Sequence, residues 1–224
     1  MNRILAQYVP LVEFLGKALG SDYEIALHDL SGGKHSYSIV AIANGFNTGR
    51  AVGAPITGKA LEFISDKAYE KEDYEVNYTG RVSSNIIMKS STMFIKDDNE
   101  KLVGMLCINY NTARLSETVN KMLELFSLPP INKAAAAGEG VSAHDPAAEY
   151  FTSSIENLIS SMLNVSTPRE RLTQEEKIDI VRSLNQKSIF QIKGAVSEVA
   201  TQLCTSEASI YRYLGRINKE KDSG

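Results

Sequence analysis

Two cysteines, three histidines and no long apolar run leave several chemistries with little to build on. Cys107 and Cys204 lie far apart, each inside an apolar segment. Lone cysteines in such settings read as small buried hydrophobes, so a reducing, cytoplasmic compartment is expected. His28, His35 and His144 are scattered, with no second nitrogen or thiolate at ligand spacing, and no metal is expected. No stretch approaches the roughly eighteen apolar residues of a membrane span. The opening Met1-Asn2-Arg3-Ile4-Leu5 soon meets Gln7, Pro10, Glu13 and Lys17, which interrupt any signal-peptide core. Neither a glycine-flanked serine elbow nor a close carboxylate pair is present, so neither enzyme activity nor a cofactor is expected. Gly53-Ala54-Pro55-Ile56-Thr57-Gly58-Lys59-Ala60 nearly spells a phosphate loop. It lacks the Ser or Thr needed after the lysine, and Pro55 removes an amide. It reads as a turn leading into a helix. His28 beside Asp29 reads as a hydrogen-bonded structural histidine, because adjacent strand residues point to opposite faces.

What is present is an ordinary globular composition, 43% hydrophobic and 23% charged, with a net charge of −3. The average hides an asymmetry, since residues 167–224 hold ten Lys/Arg against eight Asp/Glu. That permits a DNA-facing end without requiring one. Compositional breaks at Asn132 to His144 and at Asn164 to Pro168 divide the chain into three parts. These are a domain over 1–130, a linker and connecting helix over 131–166, and a small domain over 167–224.

Along the first part, Ile4 to Leu19 has apolar residues at helical spacing, with a kink or restart at Pro10. Tyr23 to Asp29 and Ser38 to Ala43 read as paired strands across Ser31-Gly32-Gly33. A helical middle follows, with Thr57 to Lys67 as a helix. Asn85 to Ile95 and Leu102 to Tyr110 then form strands joined through Asp97-Asp98-Asn99-Glu100. The result is an α+β domain: an antiparallel sheet with flanking helices. Ala113 to Ser127 is an amphipathic helix carrying Leu115, Val119, Met122, Leu123 and Phe126 on one face, stopped by Pro129-Pro130. Another helix is expected from Ala147 to Asn164, capped by Asp145. Its stripe of Phe151, Ile155, Leu158, Ile159, Met162 and Leu163 serves either its own domain or a dimer seam.

The last part opens with a capping box at Thr173 and Glu176, ahead of Ile178, Val181 and Leu184 on a buried helix face. Val196, Val199 and Leu203 give the next helix an inward face, and Ala200 falls where crossing helices approach closely. Ser206 caps a further helix that Ile210 and Leu214 anchor from beneath. Two short helices joined by a tight turn match a DNA-reading helix-turn-helix, although Cys204 stands where a turn often carries glycine. Glu207, Ala208, Ser209, Tyr211 and Arg212 then face outward, with Ser209 and Arg212 suited to base edges. Tyr213, Arg216, Lys219 and Lys221 suit phosphates.

Several spaced segments resemble one family, the YheO-like PAS-domain transcriptional regulators, over nearly the whole chain. They are Glu24-Ile25-Ala26-Leu27-His28-Asp29-Leu30, Ile42-Ala43-Asn44-Gly45 with Gly49-Arg50 and Gly53, Ser90-Ser91-Thr92, and Gly104-Met105-Leu106-Cys107-Ile108-Asn109. The resemblance implies a PAS-like sensor feeding a DNA-binding domain. Asn44, Arg50, Ser90, Ser91, Thr92 and Cys107 are the candidate ligand set, with Arg50 receiving a small anionic metabolite such as an amino or organic acid. The alternative is that the Asn44-Gly45 and Gly49-Arg50 side chains merely tie down their own loop. The expected protein is a homodimeric regulator of a double-stranded DNA operator, with no membrane partner. The rivals are an adaptor acting through protein contacts and a metabolite-binding enzyme.

Overall fold

The computed structural model describes residues 2–32, 38–82, 86–131, 149–151, 155–156, 159, 163 and 172–222. The linker from Asn132 to His144, the break at Asn164 to Pro168, His35, and the expected cap at Asp145 lie outside them.

Asn2 caps a short helix α1 (Arg3–Ala6) by accepting from the Ile4 amide. The chain breaks at Gln7 and restarts as α2 (Val9–Leu19), with Pro10 in the first turn, where no amide partner is needed. Strands β1 (Tyr23–Asp29), β2 (Ser38–Ala43), β4 (Ile87–Lys96) and β5 (Leu102–Asn111) follow the expected boundaries closely. Between them lie α3 (Gly58–Ser65), capped by Thr57, and a strand the sequence pattern did not reveal, β3 (Tyr74–Arg81). Most of β3 is solvent-exposed, so it lacks a two-residue hydrophobic alternation. Its pairing with β4 is also interrupted between Glu75 and Tyr78, where Asn77 takes a left-handed backbone.

The sheet order is β2-β1-β5-β4-β3-β6. Every neighbouring pair is antiparallel except the last, because β6 (Glu149–Tyr150) adds to β3 in parallel. This corrects the expected helical start at Ala147, since Glu149 and Tyr150 extend the sheet instead. Ile155, Glu156 and Ile159 are helical.

Period-two alternation, interrupted in β5 by a bulge at Val103, sends the strand residues to two cores. Ile25, Leu27, Val103 and Leu106 meet Leu5 and Val12 of the N-terminal helices. The approach is close: a Cβ at Gly16 would stand 2.4 Å from the Ala43 Cβ. Ala26, Met105, Cys107 and Phe94 face the opposite way, toward Ile56, Leu61 and Phe63 of the α3 region. Helix α4 (Ala113–Leu125) has no buried residue, and Leu115, Met122 and Phe126 are all exposed.

The C-terminal unit packs α5 (Gln174–Gln186), α6 (Ala195–Gln202) and α7 (Glu207–Asp222) around Ile178, Val181, Leu184, Val199, Leu203, Ile210 and Ile217. The capping box at Thr173 and Glu176 is formed in both directions.

Candidate nucleic-acid interface and polar cluster

Helix α7 is aimed by its two neighbours. Ala200, 3% exposed, sits among buried residues of the three-helix core, where a larger side chain would separate the helices. The chain leaves α6 through Leu203 and Cys204, and the Cys204 backbone is left-handed at φ 48°. That is the conformation a glycine usually supplies, so the turn keeps the usual backbone without the usual residue. Cys204 is exposed, so its sequence-based placement as a buried hydrophobe is corrected; Cys107 is buried. Ser206 then accepts from the Ser209 amide at 3.2 Å and caps α7.

Beneath α7 lie Ile210 and Ile217, with Leu214 partly buried. Outward stand Glu207, Ala208, Tyr211, Arg212, Arg216 and Lys219, with Ser209 half-buried and bonded to Ser206 through the two hydroxyls. Tyr213 differs from expectation. It is 5% exposed and belongs to the three-helix core, because it follows Ile210 by three positions and precedes Ile217 by four. Arg216 pairs with Glu175 of α5 at 3.3 Å across an exposed surface.

The second cluster lies on the inner face of the sheet. Glu24 of β1, wholly buried, accepts from Arg50, from the Thr48 hydroxyl and from the Asn109 amide. The Arg50 Nε donates to Thr48 Oγ1 at 3.1 Å, and the Phe151 ring centre lies 4.6 Å from the guanidinium carbon. Ser90 is directly opposite Asn109 in the β4–β5 register. Among the described residues, four atoms of this face are buried without a hydrogen-bond partner: Arg50 Nη1, Ser90 Oγ, Asn109 Oδ1 and His28 Nδ1. Burial, reinforced by the Arg50 charge, pushes the His28 pKa down from 6.5 to about 3, so the ring is neutral. His28 is buried and neutral, and among the described residues its Nδ1 lacks the hydrogen bond expected of it.

The six residues singled out as a ligand set divide. Arg50, Ser90, Thr92 and Cys107 share the inner face, where Thr92 bridges Tyr78 and Cys107. Ser91 alternates to the other side and accepts from the Asn77 amide. Asn44, itself left-handed, ties its loop to the carbonyls of Gly16, Gly20 and Tyr23. Sequence reasoning missed Glu24, Asn109 and Phe151. A signal was available for the first two: both are polar positions inside otherwise apolar strands, spaced by an even count from Ala26 and Cys107, which face the core.

Residues 1–127 match the family model described as a YheO-like PAS domain, and residues 154–215 match one described as an HTH domain. A Haemophilus influenzae relative termed an uncharacterized protein is 31% identical over 220 residues, covering 98% of this chain and 93% of that one. The Escherichia coli protein YheO is 33% identical over 216 residues, covering 94% and 83%. The transcriptional regulator DauR of Pseudomonas aeruginosa is 25% identical over 199 residues, covering 89% and 87%.

Proposed function

Because the chain belongs to the family of YheO-like PAS proteins, we propose that it is a transcriptional regulator that binds operator DNA through α7 and senses a small polar metabolite in its PAS sheet. One observation carries the DNA reading. The first turns of α7 project Tyr211 and Arg212 outward while Ile210, Tyr213 and Ile217 fix the helix from below. A recognition helix enters the major groove with its N-terminal residues on base edges, and basic residues further along hold phosphates. In this reading Arg212 contacts bases, Ser209 lies at the groove entrance, and Arg216 and Lys219 contact the backbone. The similarity to DauR, whose name describes a transcriptional regulator, supports the same assignment.

The regulator acts as a homodimer, since two-fold DNA readers place recognition helices about one helical turn apart, roughly 34–36 Å. Leu115, Val119 and Met122 of α4, with Phe126 at its C-terminal cap, recur at the spacing of a coiled-coil seam, and three of the four are exposed. They make a better seam than the stripe over 151–163, because Phe151, Ile159 and Leu163 are buried within this chain.

The DNA reading is tested by retardation of genomic promoter fragments. The expected result is a retarded complex with the wild-type chain that is lost in the double variant Arg212→Ala/Arg216→Ala. Equal retardation by both proteins removes these residues from the mechanism.

A further inference from the structure

We propose that Phe151 is an internal plug of the polar cluster in the sensor sheet, displaced when a small polar molecule of zero net charge binds there, and that its departure releases the connector leading to the helix-turn-helix. The inference rests on the sensing reading above and names how that site is regulated.

The ring occupies the space a ligand would need. It covers the guanidinium of Arg50, and its Cε2 lies 2.5 Å from where a Cβ on Gly80 would stand. Ser90 Oγ is 2.8 Å from the same point, so Gly80 is the residue that lets the ring reach the cluster. An apolar ring cannot satisfy polar atoms, and Arg50 Nη1, Ser90 Oγ and Asn109 Oδ1 are buried unpaired around it. Such atoms cost free energy as long as they stay unmade. A ligand offering an oxygen to Arg50 and an N–H or O–H to Asn109 would recover that cost where the ring does not.

The charge balance sets the ligand class. Glu24 and Arg50 already neutralise one another, and His28 adds no charge near neutral pH. A bare carboxylate would leave a net buried negative charge beside Glu24, and a bare ammonium a net positive one beside Arg50. A zwitterion or a primary amide brings both hydrogen-bonding characters without net charge. This revises the anionic metabolite expected from Arg50 alone, because the sequence does not reveal that Glu24 is its partner.

The connector is poised to move. It is held to the sheet by two register pairs, Gly80 with Glu149 and Arg81 with Tyr150, and by the Phe151 amide on the Arg81 carbonyl at 3.1 Å. Just beyond, the Glu156 carbonyl accepts from Gln202 of α6 at 2.9 Å. Ile159 and Leu163 are buried in the same cluster as the α6 and α7 core. Withdrawal of Phe151 therefore shifts the segment on which the first helix of the helix-turn-helix leans.

The test uses the full chain as wild type, Phe151→Ala and Gly80→Ala. The second variant keeps the ring but drives a methyl into its seat. Calorimetric titrations employ glycine, acetamide, acetate and methylammonium as probes, and hydrogen exchange is followed at the amides of Phe151 and of Ala195–Gln202. Both variants are expected to bind glycine or acetamide more tightly than wild type, about tenfold or more for Phe151→Ala, because the competing ring is gone in one and unseated in the other. Acetate and methylammonium should gain nothing, and exchange in α6 should accelerate in both variants. Absence of binding by every probe in both variants overturns the proposal, as does equal gain for acetate. Wild-type binding that leaves the Phe151 amide protected preserves sensing and overturns the plug. Loss of DNA retardation by wild type overturns the regulator reading and leaves the plug standing.

Discussion

Glu24 and Arg50 form an ion pair whose side chains expose 0% and 1% of their surface. Removing charges from water is costly, and the pair persists because Thr48 and Asn109 supply further hydrogen bonds to the carboxylate. It fixes the loop after β2 against β1, so the polar floor of the PAS sheet is a consequence of folding as well as a candidate site.

Breaking that pair on one side is expected to be expensive. Glu24→Ala leaves a buried, uncompensated guanidinium and should lower unfolding free energy by about 3–5 kcal/mol. The double replacement Glu24→Leu/Arg50→Met should recover most of the loss. Urea unfolding of the three proteins reads this directly, and a double variant no more stable than Glu24→Ala contradicts it.

Acid should weaken the fold through His28. Its folded pKa is depressed to about 3 from 6.5, so the unfolded chain binds the proton first. The stabilising effect of the neutral ring is complete above about 6.5 and is lost as pH falls toward 3, with a slope approaching about 1.4 kcal/mol per pH unit. Stability measured against pH should lose this component in His28→Leu, and an unchanged slope in that variant refutes the assignment.

The α6–α7 turn carries strain that glycine relieves. Cys204 holds φ 48° and is exposed, so Cys204→Gly should stabilise the protein by up to about 1 kcal/mol, and Cys204→Val should destabilise it. Thermal unfolding under reducing conditions distinguishes the two directions.

If Lys219 contacts a phosphate, Lys219→Ala should weaken binding to all sequences alike and reduce the slope of log affinity against log salt by about one. A loss confined to one operator sequence would instead indicate base contact.

Dimerisation through α4 is checked by sedimentation. Met122 is 57% exposed, so Met122→Glu should leave folding intact and shift the protein to monomer. An unchanged sedimentation coefficient places the dimer seam elsewhere.

Much of this architecture was legible from local pattern. The limits of β1 and β2, the restart at Pro10, the capping box at Thr173 and the cap at Ser206 each depend on neighbours within a few residues. The inward face of α6 follows from side-chain spacing alone. Tyr213 was misplaced because its phenol suggested a polar role, whereas its position relative to Ile210 and Ile217 put it in the core. Strand β3 was missed because an exposed, bulged strand has no alternation to display.

The amino-acid order by itself determined strands β1, β2, β4 and β5, the three C-terminal helices and the outward side of α7, because short-range periodicity and capping fix these. Only the tertiary structure decided that Glu24 neutralises Arg50 and that Glu149 and Tyr150 join a sheet edge rather than a helix. It likewise decided that Phe151 covers the guanidinium. Those outcomes turn on burial and charge compensation between segments distant in the chain, which no local pattern encodes.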